Sequence, residues 1–464
     1  MSNHDVEERG SPTVLIVGGG LGGLLLGVLL ERMDIPYNIL ERATKVQPLG
    51  SAMALGANIL PVFEQLGMLK EIEEISRPLY GISFYNGSLH ELGTLDFRVR
   101  TFLTGYYNLI FARSKLYDIL LKRIPTHKIK MGKRVLRTEE RDGRVCVFCS
   151  DNSTYEGSIV IGADGAYSGV RQSLYRQMDE IGMLPLSDME DFTIGYVTMV
   201  GVASPPRPEK YKQLKDNFSH YSQVLGGNKR SWGVTSVANN QICWTLSIQL
   251  SLKEAKALHF RSSGWGPETN DVMLKEFYDL PCPWGGKMAE IFDATPKDMI
   301  SKVFLEEKLF ETWHHGRTVL VGDACHKMLP GTGIGGADAL QDAVVLTNCI
   351  HNMPDWSSQS IKAAFEEYHQ QRFERVEDQF QRSGYTAKIM CGQTWSERIS
   401  RFVMLKLSPD RILERAFANV FEYRPQIAWL PLIENRGTIP VLPQEGRRTF
   451  FGVQREETQR TRRG

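Results

Sequence analysis

The stretch "VLIVGGGLGGLLLGVLLERMDIPYNILE", from Val14 to Glu41, leaves the chain few choices. Val14 to Val17 is a short apolar run of the kind that makes a buried strand. Gly18, Gly20 and Gly23 follow as G-x-G-x-x-G, a helical pattern runs from Leu21 to about Arg32, and a second strand, "YNIL", ends at Glu41. Each glycine has its own task in such a unit. Gly18 permits the tight turn, Gly20 lets backbone approach a pyrophosphate, and Gly23 lets helix and strand pack closely. The helix N-terminus offers free N–H groups and its positive dipole end to the phosphates. Glu41 lies 18 residues past Gly23, near the place of the acid that binds an adenosine ribose. An acid there disfavours a 2′-phosphate, so the unit reads as a site for FAD or NAD rather than NADP.

The rest of the 464 residues suffices for two or three domains at about 150 residues each. The first 175 residues or so keep the α/β pattern. From Phe192 to Leu250 the pattern turns β-rich. "FTIGYVTMVGVA" and "QICWTLSIQL" alternate with period two, "ANNQ" is a hairpin turn, and "RSWGVTSV" is the partner strand. "RPEKYKQLKDNFSHYSQVLGGNKR" reads mostly as loop. Residues 300–350 return to strand, glycine loop and helix. After Pro354 the chain is helical, with Ile361, Phe365 and Tyr368 on one amphipathic face. Pro425 and Pro431 open an irregular tail. The order predicts an α/β fold: a Rossmann-like domain interrupted by a β-rich, substrate-covering domain, with C-terminal helices.

Net charge is +1, too small a field to gather nucleic acid. Seven scattered cysteines argue against a disulfide framework and for a reducing compartment. "RVCVFCS" alternates like a strand, so Cys146 and Cys149 point to opposite faces and make no redox pair. No metal-ligand spacing stands out. The polar N-terminus lacks the basic region of a signal peptide. No run reaches the ~20 apolar residues that span a bilayer. A cytoplasmic protein is expected. The segment from Arg447 carries six Arg and two Glu. It reads as a solvated tail, with a weak, peripheral membrane-surface contact as the second reading.

Three later segments separate FAD from NAD. "FARSKLYDILL" places Arg113 just before a helix that Ser114 can cap. "IVIGADGAYSGVR" places Asp164 and Gly165 after a strand, with Arg171 beyond. "RTVLVGDACHKMLPGTGIGG" places Gly322 and Asp323 after another, ahead of Gly335 and Gly336. Together, in this order, they resemble the class A FAD-dependent monooxygenases, of the para-hydroxybenzoate and salicylate hydroxylase type. The resemblance runs from Val14 to Leu346. "LGANILPVFEQLGML", "KVFLEEKLFETWHHGRTVLVGDACHKMLP" and "YRPQIAWLPLIENRGT" are most similar to fungal secondary-metabolite epoxidases and hydroxylases.

The resemblance implies that Arg113 reaches the pyrophosphate or ribityl region of FAD. It implies that Asp164 serves FAD and nicotinamide binding, that Asp323 bonds the ribityl chain, and that backbone at Gly335 and Gly336 faces the flavin pyrimidine ring. It further implies NAD(P)H as co-substrate, docking without a Rossmann unit of its own. Oxygen then adds at flavin C4a, and the hydroperoxide hydroxylates or epoxidises an electron-rich aromatic or prenyl alkene. No protein nucleophile is needed, so no catalytic side chain is assigned. On this plan the FAD-binding domain comprises 12–80, 106–180 and 301–352. The substrate domain comprises an excursion at 81–105 and the insert 181–300. A helical region (353–445) and a basic tail (446–464) follow. Tyr196, His220, Tyr221, Trp232 and Trp244 are the substrate-pocket candidates, and His326 is given a structural role.

The second glycine loop departs from the family pattern. Ile334 stands where Gln is common, Ala337 takes the Asn-like position, and Asp338 follows. Asp338 is expected to cap the helix, with Gln341 completing a capping box. The rival expectation is a carboxylate that acts on the flavin. Alternative readings are an altered or non-catalytic flavin-binding relative and a prenyl-chain reductase on the same scaffold.

Overall fold

The strands Val14–Val17, Ile159–Gly162 and Thr318–Leu320 are buried along their whole length. Unbroken apolar runs are what strands covered on both faces require, and these three lie side by side. The computed structural model describes residues 12–45, 52–251, 254, 268–329, 335–391, 394–407 and 418–444. Its first sheet has six strands in the order His314–His315, Thr318–Leu320, Ile159–Gly162, Val14–Val17, Tyr37–Glu41, Ile129–Met131. Neighbours run parallel except for the edge pair His314–His315 and Thr318–Leu320. The helix Leu21–Arg32 buries ten residues between this sheet and the helix Gly335–His351. A Cβ at Gly22 would stand 3.2 Å from the Ala339 carbonyl, so the two helices meet almost backbone to backbone.

A three-stranded antiparallel sheet, Val135–Arg141, Arg144–Cys149 and Thr154–Gly157, lies beside the first. In it Cys149 is buried, Cys146 faces the other way, and both are free thiols.

The second large sheet has ten strands. Its path runs His326–Lys327, Ile300–Leu309, Thr193–Ala203, Gln241–Gln249, Arg230–Val237, Ser219–Leu225, Arg77–Asn86, Leu109–Ala112, Ala52–Leu55, and Glu91–Asp96 pairs with Arg77–Asn86. The expected hairpin forms, Val237 pairing with Gln241. Asn239 and Asn240, the central residues of the turn that the Gln241 N–H closes on the Ala238 carbonyl, both adopt left-handed backbone (φ 60° and 56°), as such a tight turn requires. The segment read as mostly loop contains the strand Ser219–Leu225 instead. It pairs in parallel with Arg77–Asn86 on one side and forms a hairpin with Arg230–Val237 on the other, closed by a turn in which Asn228 and Lys229 are left-handed; Ser219, Ser222 and Gln223 blur its alternation.

The two faces of this sheet differ. Val197, Met199, Trp232, Val234, Trp244 and Leu246 pack under the helices Glu268–Phe277 and Ala289–Asp293. The other face meets the segments around the glycine turns. Val202, Val237 and Cys243 pack on Ala112, and Tyr196 packs on Leu329 and Ala387.

The chain then forms the 34-residue helix Ser358–Cys391, whose Ile361, Phe365 and Tyr368 are fully buried, as their spacing implies. Residues 426–444 are irregular yet fixed. The Gln65 side chain donates to the carbonyls of Ile427 (3.1 Å) and Pro431 (3.0 Å) and accepts from the Ile427 N–H (2.8 Å). Among the described residues no helix is long and apolar enough to cross a membrane.

Candidate functional site

The first glycine turn is held by close contacts. Gly18 has φ +105°, and a Cβ there would lie 2.4 Å from the Ala163 carbonyl oxygen. A Cβ at Gly23 would lie 2.0 Å from the Gly18 carbonyl oxygen, so helix and turn can meet only through glycine. At Gly20 a Cβ would find nothing within 4 Å. The helix that begins beside it has neither a side-chain cap nor an acid in its first turn, so its leading N–H groups face open space. Glu41 ends the neighbouring strand and braces the turn. Its Oε2 accepts from the Gly19 N–H and its Oε1 from the Ala43 N–H, both at 2.7 Å.

Asp164 and Gly165 (φ +82°) form the next turn. Asp164 Oδ2 accepts from the N–H groups of Gly169 (2.7 Å) and Val170 (3.3 Å), and Ser168 caps the same helix by accepting from Arg171 N–H (2.9 Å). Asp164 Oδ1 is buried with no partner, and burial pushes its carboxyl above the usual carboxylate range. Arg171 ties this turn to the third. Its guanidinium donates to the carbonyls of Ala166 (2.6 Å) and Ala324 (2.8 Å) and lies 4.1 Å from the Phe310 ring centroid.

Asp323 sits in the short turn Gly322–Ala324 and pairs with Lys327. Arg113 is exposed at the start of the helix Arg113–Leu121. That helix begins at Arg113, its N-cap position at Ala112 is two residues before the expected Ser114 cap, and it carries no side-chain cap. Gly335 and Gly336 open the helix Gly335–His351. A Cβ at Gly336 would stand 2.7 Å from Met53 Cε, and Met53 pairs with Phe111 in the strand that leads to Arg113. Pro330, Gly333 and Ile334 lie outside the described residues.

Asp338 does not cap this helix. The helix starts three residues earlier, Asp338 is fully buried within it, and no capping box with Gln341 forms. Both side chains turn to the long helix instead. Arg372, also fully buried, donates to Asp342 Oδ1 (2.7 Å), to Gln341 Oε1 (3.0 Å) and, at 3.4 Å, to Asp338 Oδ1. Asp342 Oδ2 takes the Gly322 N–H (2.8 Å) and His326 Nε2 (2.6 Å). Burial works against the Asp342 carboxylate, but His326 and Arg372 beside it hold it down at about 2. Burial likewise works against charge on His326, and Asp342 holds it well above the usual histidine range. Asp338 has the longer contact to Arg372 and the side-chain amide of Gln379 beside it, yet burial wins and pushes its carboxyl up to about 6. Cys325, His326 and Asp342 bring ligand-type atoms within 4.8 Å of one another, but these bonds already commit the histidine and the carboxylate.

Of this cluster the sequence had singled out His326, Asp338 and Gln341, but neither Asp342 nor Arg372. One signal pointed to it. Arg372 continues the buried stripe Ile361, Phe365, Tyr368 at the next helical step, and an arginine on an apolar stripe demands a buried counter-charge.

The substrate candidates separate. Trp232 and Trp244 belong to the core on the helix-covered face. Their indole N–H groups donate to the Pro281 carbonyl (3.0 Å) and to Thr295 Oγ1 (2.9 Å), so they are packing residues and not pocket residues. His220 pairs with Asp216 at 2.7 Å in a partly exposed position. Tyr196 and Tyr221 lie on the face toward the glycine turns, Tyr221 against Leu79 and Ile110.

Three turns from distant parts of the chain therefore meet. Gly18 touches Ala163, Arg171 joins Ala166 to Ala324, and Gly22 and Gly322 both abut Ala339. A hollow of about 480 Å³ beside Thr13, Glu31 and Lys128 lies at the other end of the strands, away from this chemistry. Open space at Gly20, the unpartnered Oδ1 of Asp164 and two uncapped helix N-termini fit the phosphates and hydroxyls of FAD.

Residues 11–194 and 289–383, more than half the chain, match the model of the FAD binding domain family. The chain belongs to the FAD binding domain family. Among its relatives, the FAD-dependent monooxygenase nvfK of Aspergillus novofumigatus is 27% identical over 96% of this chain and 91% of its own. The FAD-dependent monooxygenase ausM of Penicillium brasilianum is 28% identical over 92% and 90%. The structure of Klebsiella pneumoniae HpxO complexed with FAD and uric acid aligns with a TM-score of 0.71 at 21% identity, over 89% of this chain and 97% of that one. This FAD binding domain protein is a flavin-dependent monooxygenase of class A, resembling fungal secondary-metabolite enzymes. Its cofactor is FAD.

Proposed function

We propose that the chain uses NAD(P)H and O₂ to place one oxygen atom on an electron-rich small molecule, by hydroxylating an aromatic ring or epoxidising a prenyl or terpenoid alkene. The observation that carries this reading is the convergence of three turns from distant parts of the chain, with an unpartnered Oδ1 on Asp164 and open backbone at Gly20 among them. Bound FAD would supply the electron transfer and the activation of oxygen.

The chain's own residues bind and orient. The N–H groups after Gly20 would hold the pyrophosphate, and Glu41 would take the adenosine ribose. Arg113 and Asp323 would reach the middle of the cofactor, and Asp164 Oδ1 would accept from a cofactor hydroxyl. The leading N–H groups of the helix Gly335–His351 would oppose negative charge on the ring system. The ten-stranded sheet would roof the reacting end and keep water out. Tyr196 lies on that roof, beside Leu329.

The test is a screen of purified protein with NADH and NADPH over aromatic and prenylated compounds. It follows O₂ uptake and product mass. A yellow protein whose product gains one oxygen atom is the expected result. A product that gains hydrogen and no oxygen would assign reduction instead.

A further inference from the structure

The helix Trp395–Phe402 is mounted with its greasy side outward. Trp395, Ile399 and Phe402 recur at helical spacing and share one face, and they are 76%, 54% and 57% exposed. Leu407, at the end of the π-helical turn Val403–Leu407, is 62% exposed. On the opposite side Arg401 is buried, and Leu405 packs on the strand Glu91–Asp96, where a Cβ at Gly93 would come within 3.0 Å of it. A surface helix of a globular protein does the reverse, with apolar residues inward and charge outward.

The helix is also well fastened. Thr394 and Glu397 form a full capping box at its start, at 3.4 Å and 2.9 Å. Four large apolar side chains held out on a rigid, anchored segment need an apolar medium to cover them.

Charge says which medium. The exposed side chains of Arg398 and Lys406 flank the apolar residues, and the segment 394–407 holds three cations against the single acid Glu397. Trp, Phe and Leu on one face with Arg and Lys at the rim is the composition of a helix lying in a lipid–water interface. Its place in the fold is consistent. The preceding long helix contacts the cofactor-side loop through Ser383, whose hydroxyl donates to the Leu329 carbonyl, and through Ala387, which packs on Tyr196 and Leu329.

We infer that residues 394–407 are a docking surface for an anionic lipid bilayer, with Trp395, Ile399, Phe402 and Leu407 entering the interface and Arg398 and Lys406 meeting the headgroups. The basic tail lies outside the described residues. The docking surface would seat the substrate-facing sheet close to a membrane.

The test uses full-length, FAD-loaded protein in flotation with vesicles of phosphatidylcholine alone or mixed with phosphatidylserine. Wild type is expected to float with the mixed vesicles and to release at high salt. The variant W395S/I399S/F402S, checked for flavin absorbance, is expected to lose roughly tenfold or more of its partitioning. Brominated acyl chains should quench tryptophan emission in wild type and much less in Trp395→Phe. Should the triple variant lose its flavin, R398E/K406E carries the test, with weaker flotation expected at low salt. Absence of flotation, or flotation equal to wild type in these variants, would overturn the assignment. So would a wild-type dimer in sedimentation that the triple variant dissolves, which would give the face to a second copy. NAD(P)H oxidation in solution reads oxygen chemistry separately, so a failure of the proposed activity is not mistaken for a failure of docking.

Discussion

Gly20 and Gly23 stand three residues apart in one motif and face opposite demands. Alanine at Gly23 would drive a methyl into the Gly18 carbonyl at 2.0 Å. Alanine at Gly20 meets no protein atom within 4 Å. Gly23→Ala is therefore expected to lower both thermal stability and FAD affinity. Gly20→Ala is expected to leave the flavin-free protein's melting temperature unchanged and weaken FAD binding alone. Titration of the two apoproteins with FAD, beside their melting curves, checks the contrast. Asp338 gives a pH prediction. Its folded carboxyl, pushed up to about 6 by burial, binds its proton more tightly than the unfolded chain does. The native state therefore loses stability as pH rises from about 4 to about 6, by roughly 2–3 kcal/mol, and no more above that. Asp338→Asn removes this slope, and the variant gains on wild type as pH rises through that window. Parallel curves of urea midpoint against pH for the two proteins would refute it. At this scale the first turn was legible in the sequence, because each glycine's role follows from its offset from a strand and a helix. Asp338 was not. A cap and a buried counter-ion use the same residue type, and only the helix start at Gly335 tells them apart.

The ten-stranded sheet explains which aromatic residues serve packing. Trp244 sits opposite Gly201, where a Cβ would lie 2.5 Å from its ring, so a missing side chain on one strand makes room for a large one on the next. Trp244→Phe is expected to cost about 1–2 kcal/mol through the lost hydrogen bond to Thr295 and the emptied volume, with substrate KM unchanged. Tyr196→Ala, on the other face, is expected to change KM. Denaturant unfolding and steady-state kinetics of both variants measure this. Period-two alternation located the strands Thr193–Ala203 and Gln241–Gln249 from sequence, but alternation carries no label for which face looks at the cofactor. The missed strand Ser219–Leu225 shows a second limit. Its hairpin turn, Gly226 to Lys229, was present in the sequence, but the hydroxyl and amide side chains of Ser219, Ser222 and Gln223 erase the contrast that reveals a strand.

Across the whole molecule, the fold brings together segments that the chain order keeps far apart. Arg372 on the long helix neutralises Asp342, Asp342 holds the Gly322 N–H, and Arg171 joins Gly322's turn to the one at Asp164. Asp342→Ala leaves two buried cations without their shared counter-ion. It is expected to cost about 3–5 kcal/mol, seen as a fall in the urea midpoint and a loss of bound flavin in the same transition. The α/β class and the order of its parts were readable from strand and helix periods. This long-range wiring was not, because a pairing 30 residues or more apart has no signature in local spacing. The same wiring sets a schedule for biosynthesis. A nascent chain that has emerged only as far as the second glycine loop already displays both loops, yet the carboxylate under the second still lacks its arginine. Chains truncated before Arg372 are therefore expected to bind FAD weakly, because Asp342 would hold the Gly322 N–H without its buried arginine.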